Sequence, residues 1–204
     1  MKVLIVDDHA MIRSGIKQLH QSAAMEFLEA ETGEDALRLQ KSEHPQMIVL
    51  DLNLPGVSGL ELLRQLLDAD PAARLLVFSM HGEPVYAARA LKIGAQGYVS
   101  KNSAPEELRT AFQRVAAGQT YVESEIAQSL AAGAGVGALT ERDLEMLRLL
   151  GEGRSFSEIA VTLGIAYKTV ANTATLIKSK LGVERTADLI RLSVEMGIPR
   201  GADL

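Results

Sequence analysis

Five residues able to act together sit at the ends of short apolar runs. Asp7 and Asp8 follow VLIV (3–6), Asp51 follows MIVL (47–50), Ser79 follows LLVF (75–78), and Lys101 follows GYVS (97–100). Asn53 comes two residues after Asp51, just before Pro55-Gly56. If the runs are parallel strands of one sheet, their carboxyl ends share the edge where such sheets bind ligands. Three carboxylates, a hydroxyl and an ammonium then converge there. Carboxylates so close repel one another unless a cation lies between them. Mg²⁺ suits the place, because it takes carboxylates, backbone carbonyls and waters. A carboxylate beside such an ion can attack a phosphoryl group. Phosphoryl transfer asks mainly for in-line positioning and neutralised oxygens. Asp51 is therefore the candidate phosphoacceptor, with Lys101 supplying charge and Ser79 a hydrogen bond. A lone Asp at a strand tip is ordinarily a helix cap or a solvated loop residue; the joint pattern is what carries specificity.

The elements that must position these residues can be read around them. Strands are predicted at Val3–Val6, Phe27–Ala30, Met47–Leu50, Leu75–Phe78 and Tyr98-Val99, with helices near 10–22, 33–42, 58–69, 84–93 and 105–118. Alternation of this kind implies an α/β fold, a doubly wound five-stranded parallel sheet with helices on both faces. The strands are apolar throughout, as suits burial on both sides. The Ala- and Gly-rich stretch LAAGAGVGA (130–138) cannot build a core and reads as a flexible connection. Short amphipathic segments with glycine stops follow, implying a small all-α domain. The expected organisation is 1–118, a linker at 119–138, and 139–204.

Composition narrows the class. The chain has 204 residues, 47% apolar and only 4% aromatic, so its core is aliphatic. Without cysteine it can form neither disulfides nor thiolate metal sites. The start, MKVLIVDDH, is too short and too acidic for a signal peptide. No apolar run reaches the roughly 20 residues of a membrane span, so a cytoplasmic protein without membrane contact is expected. From Leu139 onward nine basic residues balance nine acidic ones, whereas the preceding part has 12 against 17. The net negative charge therefore lies entirely in the first part.

Residues 1–118 resemble the receiver domain of two-component response regulators, through VLIVDDH, IVLDLNLPGVSGLELL, LLVFSMH and ALKIGAQGYVSKNSAPEEL. The resemblance implies a flavodoxin-like sheet with Asp51 as phosphoacceptor and a Mg²⁺ site of Asp7, Asp8, Asp51 and Asn53. Asp8 would bind the ion directly, Asp7 through water, and Asn53 through its backbone carbonyl. Ser79 and Tyr98 would be the switch residues, and Lys101 would pair with the phosphoryl group. Asn102 stands where many receivers have proline.

The segment from about 139 to 197 resembles the helix-turn-helix domain of LuxR-type regulators, through LTERDLEML, GRSFSEIAVTLGIAYKTV and KSKLGVERTADL. Both parts together are similar to the NarL/FixJ subfamily. The helical pattern can also be read directly. Val170, Ala174, Ile177 and Leu181 recur at helical spacing and face inward. Lys168, Thr169, Ala171, Asn172, Thr175 and Lys178 lie toward the other side and are the candidate DNA contacts. Asparagine can pair with adenine, and Ala or Thr methyls can touch thymine. Ala171 and Phe156-Ser157 stand where relatives often carry lysine or asparagine-lysine, so cationic contact with phosphates is thin. The last helix carries two apolar stripes. Ala187, Ile190 and Val194 form one; Leu189, Leu192 and Met196 form the other, which is expected to be the homodimer face.

What the resemblance implies is a transcriptional regulator, not an enzyme. A sensor histidine kinase would phosphorylate Asp51, and a homodimer would bind a two-fold operator on double-stranded DNA. A phosphatase with an aspartyl nucleophile, of the haloacid dehalogenase type, would want a second acid two residues on, where Asn53 stands. A receiver that acts only as a protein-binding module is a third possibility.

Overall fold

The computed structural model describes residues 1–20, 25–132 and 139–195. The chain divides into two compact units. The first comprises Met1–Gly82 and Tyr86–Ala127, and residues from Gln128 belong to the second. In the first unit strands β1 (Lys2–Val6), β2 (Glu26–Ala30), β3 (Met47–Leu50), β4 (Arg74–Ser79), β5 (Gly97–Ser100) and β6 (Tyr121–Val122) form one parallel sheet in the order β2-β1-β3-β4-β5-β6. Helices α1 (Ala10–Leu19), α2 (Gly33–Glu43), α3 (Gly59–Ala69), α4 (Pro84–Ile93) and α5 (Pro105–Ala116) connect the first five strands and lead on to the sixth. Both faces of the central strands are covered, so Val3–Val6, Met47–Leu50 and Leu75–Val77 are almost wholly buried. The doubly wound architecture agrees with the sequence pattern.

One strand differs from expectation. The sheet has six strands because Tyr121-Val122, within the stretch taken as linker, pairs with Gly97-Tyr98. Two residues are too few to form a visible alternation. Helix α6 (Ser124–Ala131) follows directly, so ordered structure continues past 118. Most of the Ala- and Gly-rich stretch, 133–138, lies outside the described residues.

Hydrogen bonds fix the register at the functional edge. Asp7 N–H donates to the Ala30 carbonyl (3.1 Å), Asp51 N–H to that of Val6 (2.9 Å), and Lys101 N–H to that of Ser79 (2.8 Å). Side chains at three strand ends are thereby locked side by side. Gly59 at the start of α3 packs so tightly that a Cβ would overlap the Leu52 backbone. The chain after Asp51 can turn beneath the helix only because that residue has no side chain.

The second unit contains α7 (Glu141–Gly151), α8 (Phe156–Leu163), α9 (Tyr167–Leu181) and α10 (Thr186–Glu195). Capping boxes start α7 (Thr140 with Asp143) and α8 (Ser155 with Glu158). Gly164 closes α8 in the left-handed conformation (φ 64°), and its neighbour's N–H reaches the Ala160 carbonyl (3.0 Å). Helix α9 buries Val170, Ala174, Ile177 and Leu181.

Helix α10 corrects the assignment of its two stripes. It packs on α7, and a Cβ on Gly151 would clash with Ser193. That contact turns Leu189 and Leu192 inward, where both are fully buried. They are core residues and not an exposed dimer face. The outward stripe is Ala187, Ile190 and Val194, with Val194 64% exposed. Met196 lies outside the described residues.

At the end of α1, which stops at Leu19, His20 stacks on Phe112 of α5 with ring centroids 3.9 Å apart. Its buried Nε2 has no hydrogen-bond partner among the described residues. Burial, with Arg109 nearby, lowers its pKa from 6.5 to about 4. The unfolded chain therefore binds this proton more readily than the folded one.

Two outcomes follow for folding. Leu192→Asp should unfold the helical unit, because an unpaired carboxylate would enter its core; loss of far-ultraviolet helical signal on mild heating is the measurement. Stability against denaturant should decline as pH falls from 6.5 toward 4, and His20→Leu should flatten that part of the curve. Identical pH profiles for both proteins would show that His20 does not protonate on unfolding.

Candidate functional site

The strand tips bring Asp7, Asp51 and Lys101 into direct contact. Lys101 Nζ lies 2.6 Å from Asp7 Oδ2 and 2.5 Å from Asp51 Oδ2, and its side chain is only 5% exposed. Asp51 Oδ1 also accepts the Asn53 N–H (3.0 Å), which folds the β3–α3 loop back over the strand tip. Asp7 Oδ1 accepts the His9 N–H at 2.9 Å. Asp8 is more open, with His9 Nδ1 2.7 Å from its carboxylate. Potential ligand atoms of Asp7, Asp8 and His9 all lie within 4.8 Å of one another. One ammonium faces Asp7 and Asp51, and Asp8 adds a third carboxylate beside Asp7, leaving a deficit of positive charge among hard oxygen donors. The Asn53 backbone carbonyl lies on the adjoining loop. This donor set fits Mg²⁺.

Arg13 supports the tip of β1 from below. It is buried on α1 and donates to the Asp7 carbonyl (2.8 Å), to Glu29 (2.8 Å) and to Glu31 (2.5 Å). Hydrogen bonds from Lys17 and Arg13 hold the Glu29 carboxyl below its ordinary pKa. Sequence inspection missed Arg13; the sole trace is an arginine on the inward side of an amphipathic helix.

Ser79 and Tyr98 are both fully buried. Ser79 Oγ accepts the His81 N–H at 3.4 Å, and the Tyr98 hydroxyl donates to the His81 carbonyl at 2.7 Å. The His81 ring stacks on Tyr86 of α4, with centroids 4.0 Å apart. Ser79 and Tyr98 thus meet at one residue, His81, which the sequence pattern did not single out. The peptide between Lys101 and Asn102 is trans.

In the helical unit, α8 and α9 meet across the Gly164 turn. Lys168, Thr169, Asn172 and Thr175 are exposed on α9, while Ala171 and Lys178 are half-buried. The Thr175 hydroxyl donates back to the Ala171 carbonyl at 3.0 Å, which leaves its methyl free to meet a ligand. Leu176, absent from the candidate contacts, is 61% exposed beside it. Several nearby cations are already engaged. Lys180 Nζ binds Asp143 at 2.6 Å, tying the end of α9 to the cap of α7, and Arg154 pairs with Glu152. Burial pushes the Asp143 carboxyl up, but hydrogen bonds from Lys180 and Thr140 outweigh it and hold the pKa low. Lys178 reaches the Glu184 carbonyl, which leaves its charge uncompensated there. Among the described residues, Lys168 and Lys178 are the cations this face offers.

Comparison with known proteins matches both units. Residues 3–113 match the model of the response regulator receiver domain, and residues 137–193 that of bacterial regulatory proteins of the luxR family. The transcriptional activator protein ExaE of Pseudomonas putida is 40% identical over 98% of this chain and 99% of its own length. The response regulator UvrY of Escherichia coli K12 is 30% identical over 97% of this chain and 95% of its own. Among solved structures, the RcsB–DNA complex superposes with a TM-score of 0.81 at 26% identity, covering 95% of this chain and 98% of that one. RcsB of Salmonella enterica serovar Typhimurium, bound to promoter P1flhDC with the phosphomimetic BeF3⁻, gives 0.84 at 26% identity over 96% and 98%. A parallel-sheet unit with an acidic edge, joined to a helix-turn-helix unit and matched along nearly its whole length by such regulators, belongs to the NarL/FixJ subfamily of two-component response regulators, a family of DNA-binding transcriptional regulators and not of enzymes.

Proposed function

We propose that this response regulator is switched by phosphorylation of Asp51 by a sensor histidine kinase and then binds a two-fold DNA operator as a homodimer. The observation that carries the proposal is Lys101 poised between Asp7 and Asp51 at the strand tips. An Asp51 oxygen attacks the phosphorus of the kinase's phosphohistidine. The phosphorus–nitrogen bond breaks, and the released imidazole takes up a proton. Bound Mg²⁺, held by Asp7, Asp8, Asp51 and the Asn53 carbonyl, would offset charge on the transferred oxygens. Lys101 is placed to exchange its Asp51 contact for one with the phosphoryl group. The Ser79 hydroxyl is the nearby donor from β4. Asn53 in place of a second acid argues for retaining the acyl phosphate and against rapid turnover.

On the DNA side, α9 would enter the major groove. Asn172 is suited to adenine, and the methyls of Ala171 and Thr175 to thymine. Dimerisation would use the exposed stripe of α10, Ala187, Ile190 and Val194. A solved structure of two RcsB dimers on two parallel DNAs, with a TM-score of 0.82 at 25% identity over 95% of this chain and 98% of that one, supports the dimeric arrangement. No helix among the described residues is long and apolar enough to cross a membrane.

Asp51→Asn keeps the side-chain shape but removes the nucleophile. Mg²⁺-dependent labelling by radioactive acetyl phosphate should fall to background, and persistent full labelling would place the phosphate elsewhere. DNA binding should depend weakly on salt. Two available cations per subunit give a dimer a log–log slope of about −4, at about −0.9 per phosphate contact. Ala171→Lys should steepen that slope by about 2 and tighten binding to random DNA. Binding lost on every sequence would instead show that Ala171 touches a base too closely for a longer side chain. Ile190→Asp should remain folded, with stability changed by about 0.5 kcal/mol, yet lose cooperative binding to paired half-sites in a gel-shift titration.

A further inference from the structure

The sixth strand leaves the sheet at a residue that takes on two tasks. Tyr121 N–H donates to the Gln96 carbonyl (2.9 Å), and Glu123 N–H to that of Tyr98 (3.1 Å). In a continuing parallel ladder the next bond would run from Ser100 N–H to the Glu123 carbonyl. The chain has instead turned into α6, where that carbonyl accepts the Ala127 N–H (2.8 Å) as the first acceptor of the helix. The Glu123 side chain supplies the missing acceptor: Oε2 lies 2.9 Å from Ser100 N. Ser100 is buried, so its N–H without this carboxylate would lose a bond that water cannot readily replace. The bond is charge-assisted, hence stronger than the backbone bond for which it substitutes.

We infer that Glu123 is a positioning residue for the phosphoryl pocket, and that through it the strand leading into α6 is fastened to the pocket itself. The residue it holds, Ser100, immediately precedes Lys101, whose ammonium bridges Asp7 and Asp51. Its own N–H holds the carbonyl of Tyr98, whose hydroxyl is fixed on His81 next to Ser79. Tyr98 and Ser100, the β5 residues beside the two switch contacts, are therefore bonded to one residue. Movement of Lys101 toward a phosphoryl group must be accommodated by Glu123. The start of α6, formed on the Glu123 carbonyl, shares in that adjustment. By reciprocity, whatever fixes α6 on the other side alters how the pocket accepts the phosphoryl group.

The inference rests on Asp51 as phosphoacceptor, so its test uses the full chain with Mg²⁺ and beryllium fluoride as the phosphoryl mimic. Amide hydrogen exchange is followed at Ser100, Tyr121 and Glu123, with Asn53 as the control on the β3 side. In the wild type, beryllium fluoride should change exchange at all three. In Glu123→Ala, Ser100 should exchange about tenfold faster or more, and the response at 121 and 123 should disappear while that at Asn53 persists. Glu123→Gln keeps an acceptor oxygen and should restore most of the protection and the response. A Glu123→Ala chain with wild-type Ser100 exchange, or with the response at β6 intact, would overturn the inference. So would a Glu123→Gln chain that behaves like Glu123→Ala, since the hydrogen bond would then not be the cause. A wild type without any response to beryllium fluoride would overturn the phosphoacceptor assignment, and this coupling with it.

Discussion

The structure turns on one ammonium held between two buried carboxylates. Lys101 can reach Asp7 and Asp51 together only if β1, β3 and β5 end at the same height. Backbone bonds from Asp7, Asp51 and Lys101 to neighbouring strands set that height. Parallel strands buried on both faces have little freedom to slip, since a shift of one residue would turn their side chains to the wrong layer. The apolar runs thus do more than fill the core. They are the rulers that bring charged ends into register.

An ion group so poorly hydrated gains little for folding by itself, because desolvation offsets much of the attraction. Its worth lies in the imbalance it leaves. With Asp8 beside the two carboxylates that share Lys101, the edge attracts further positive charge, a need that a metal ion with oxygen ligands would answer. The surrounding parts limit what else can move. Arg13 anchors the tip of β1 to Glu29 and Glu31, and Gly59 lets α3 press against the Leu52 backbone. On the far side, Ser79 and Tyr98 converge on His81.

Much of this could be read from residue order. Apolar runs ending in Asp7, Asp51 and Ser79 determine strands, parallel topology and the charged edge, because periodicity and burial are properties of single segments. The inward positions of α9 follow in the same way from helical spacing. What escaped depends on tertiary partners. Leu189 and Ile190 are equally apolar, and only the approach of α7 decides which one is core. Lys180 and Arg154 look available until Asp143 and Glu152 are seen beside them. Tyr121-Val122 is too short to announce a strand, and Glu123 looks like any surface acid until the ladder it completes is traced.

The sixth strand also determines how the sheet meets other chains. A free edge strand offers unpaired amides and carbonyls to any extended peptide, and this is a common route to unwanted association. Here β6 occupies the β5 edge. The opposite edge, β2, carries Glu26 and Glu29 in a five-residue strand, with Glu31 just beyond. Another copy docking there would meet Glu26 and would have to disturb the pairs that Glu29 and Glu31 make with Arg13 and Lys17. The sheet is thereby guarded, along both of its borders, against polymerising through strands.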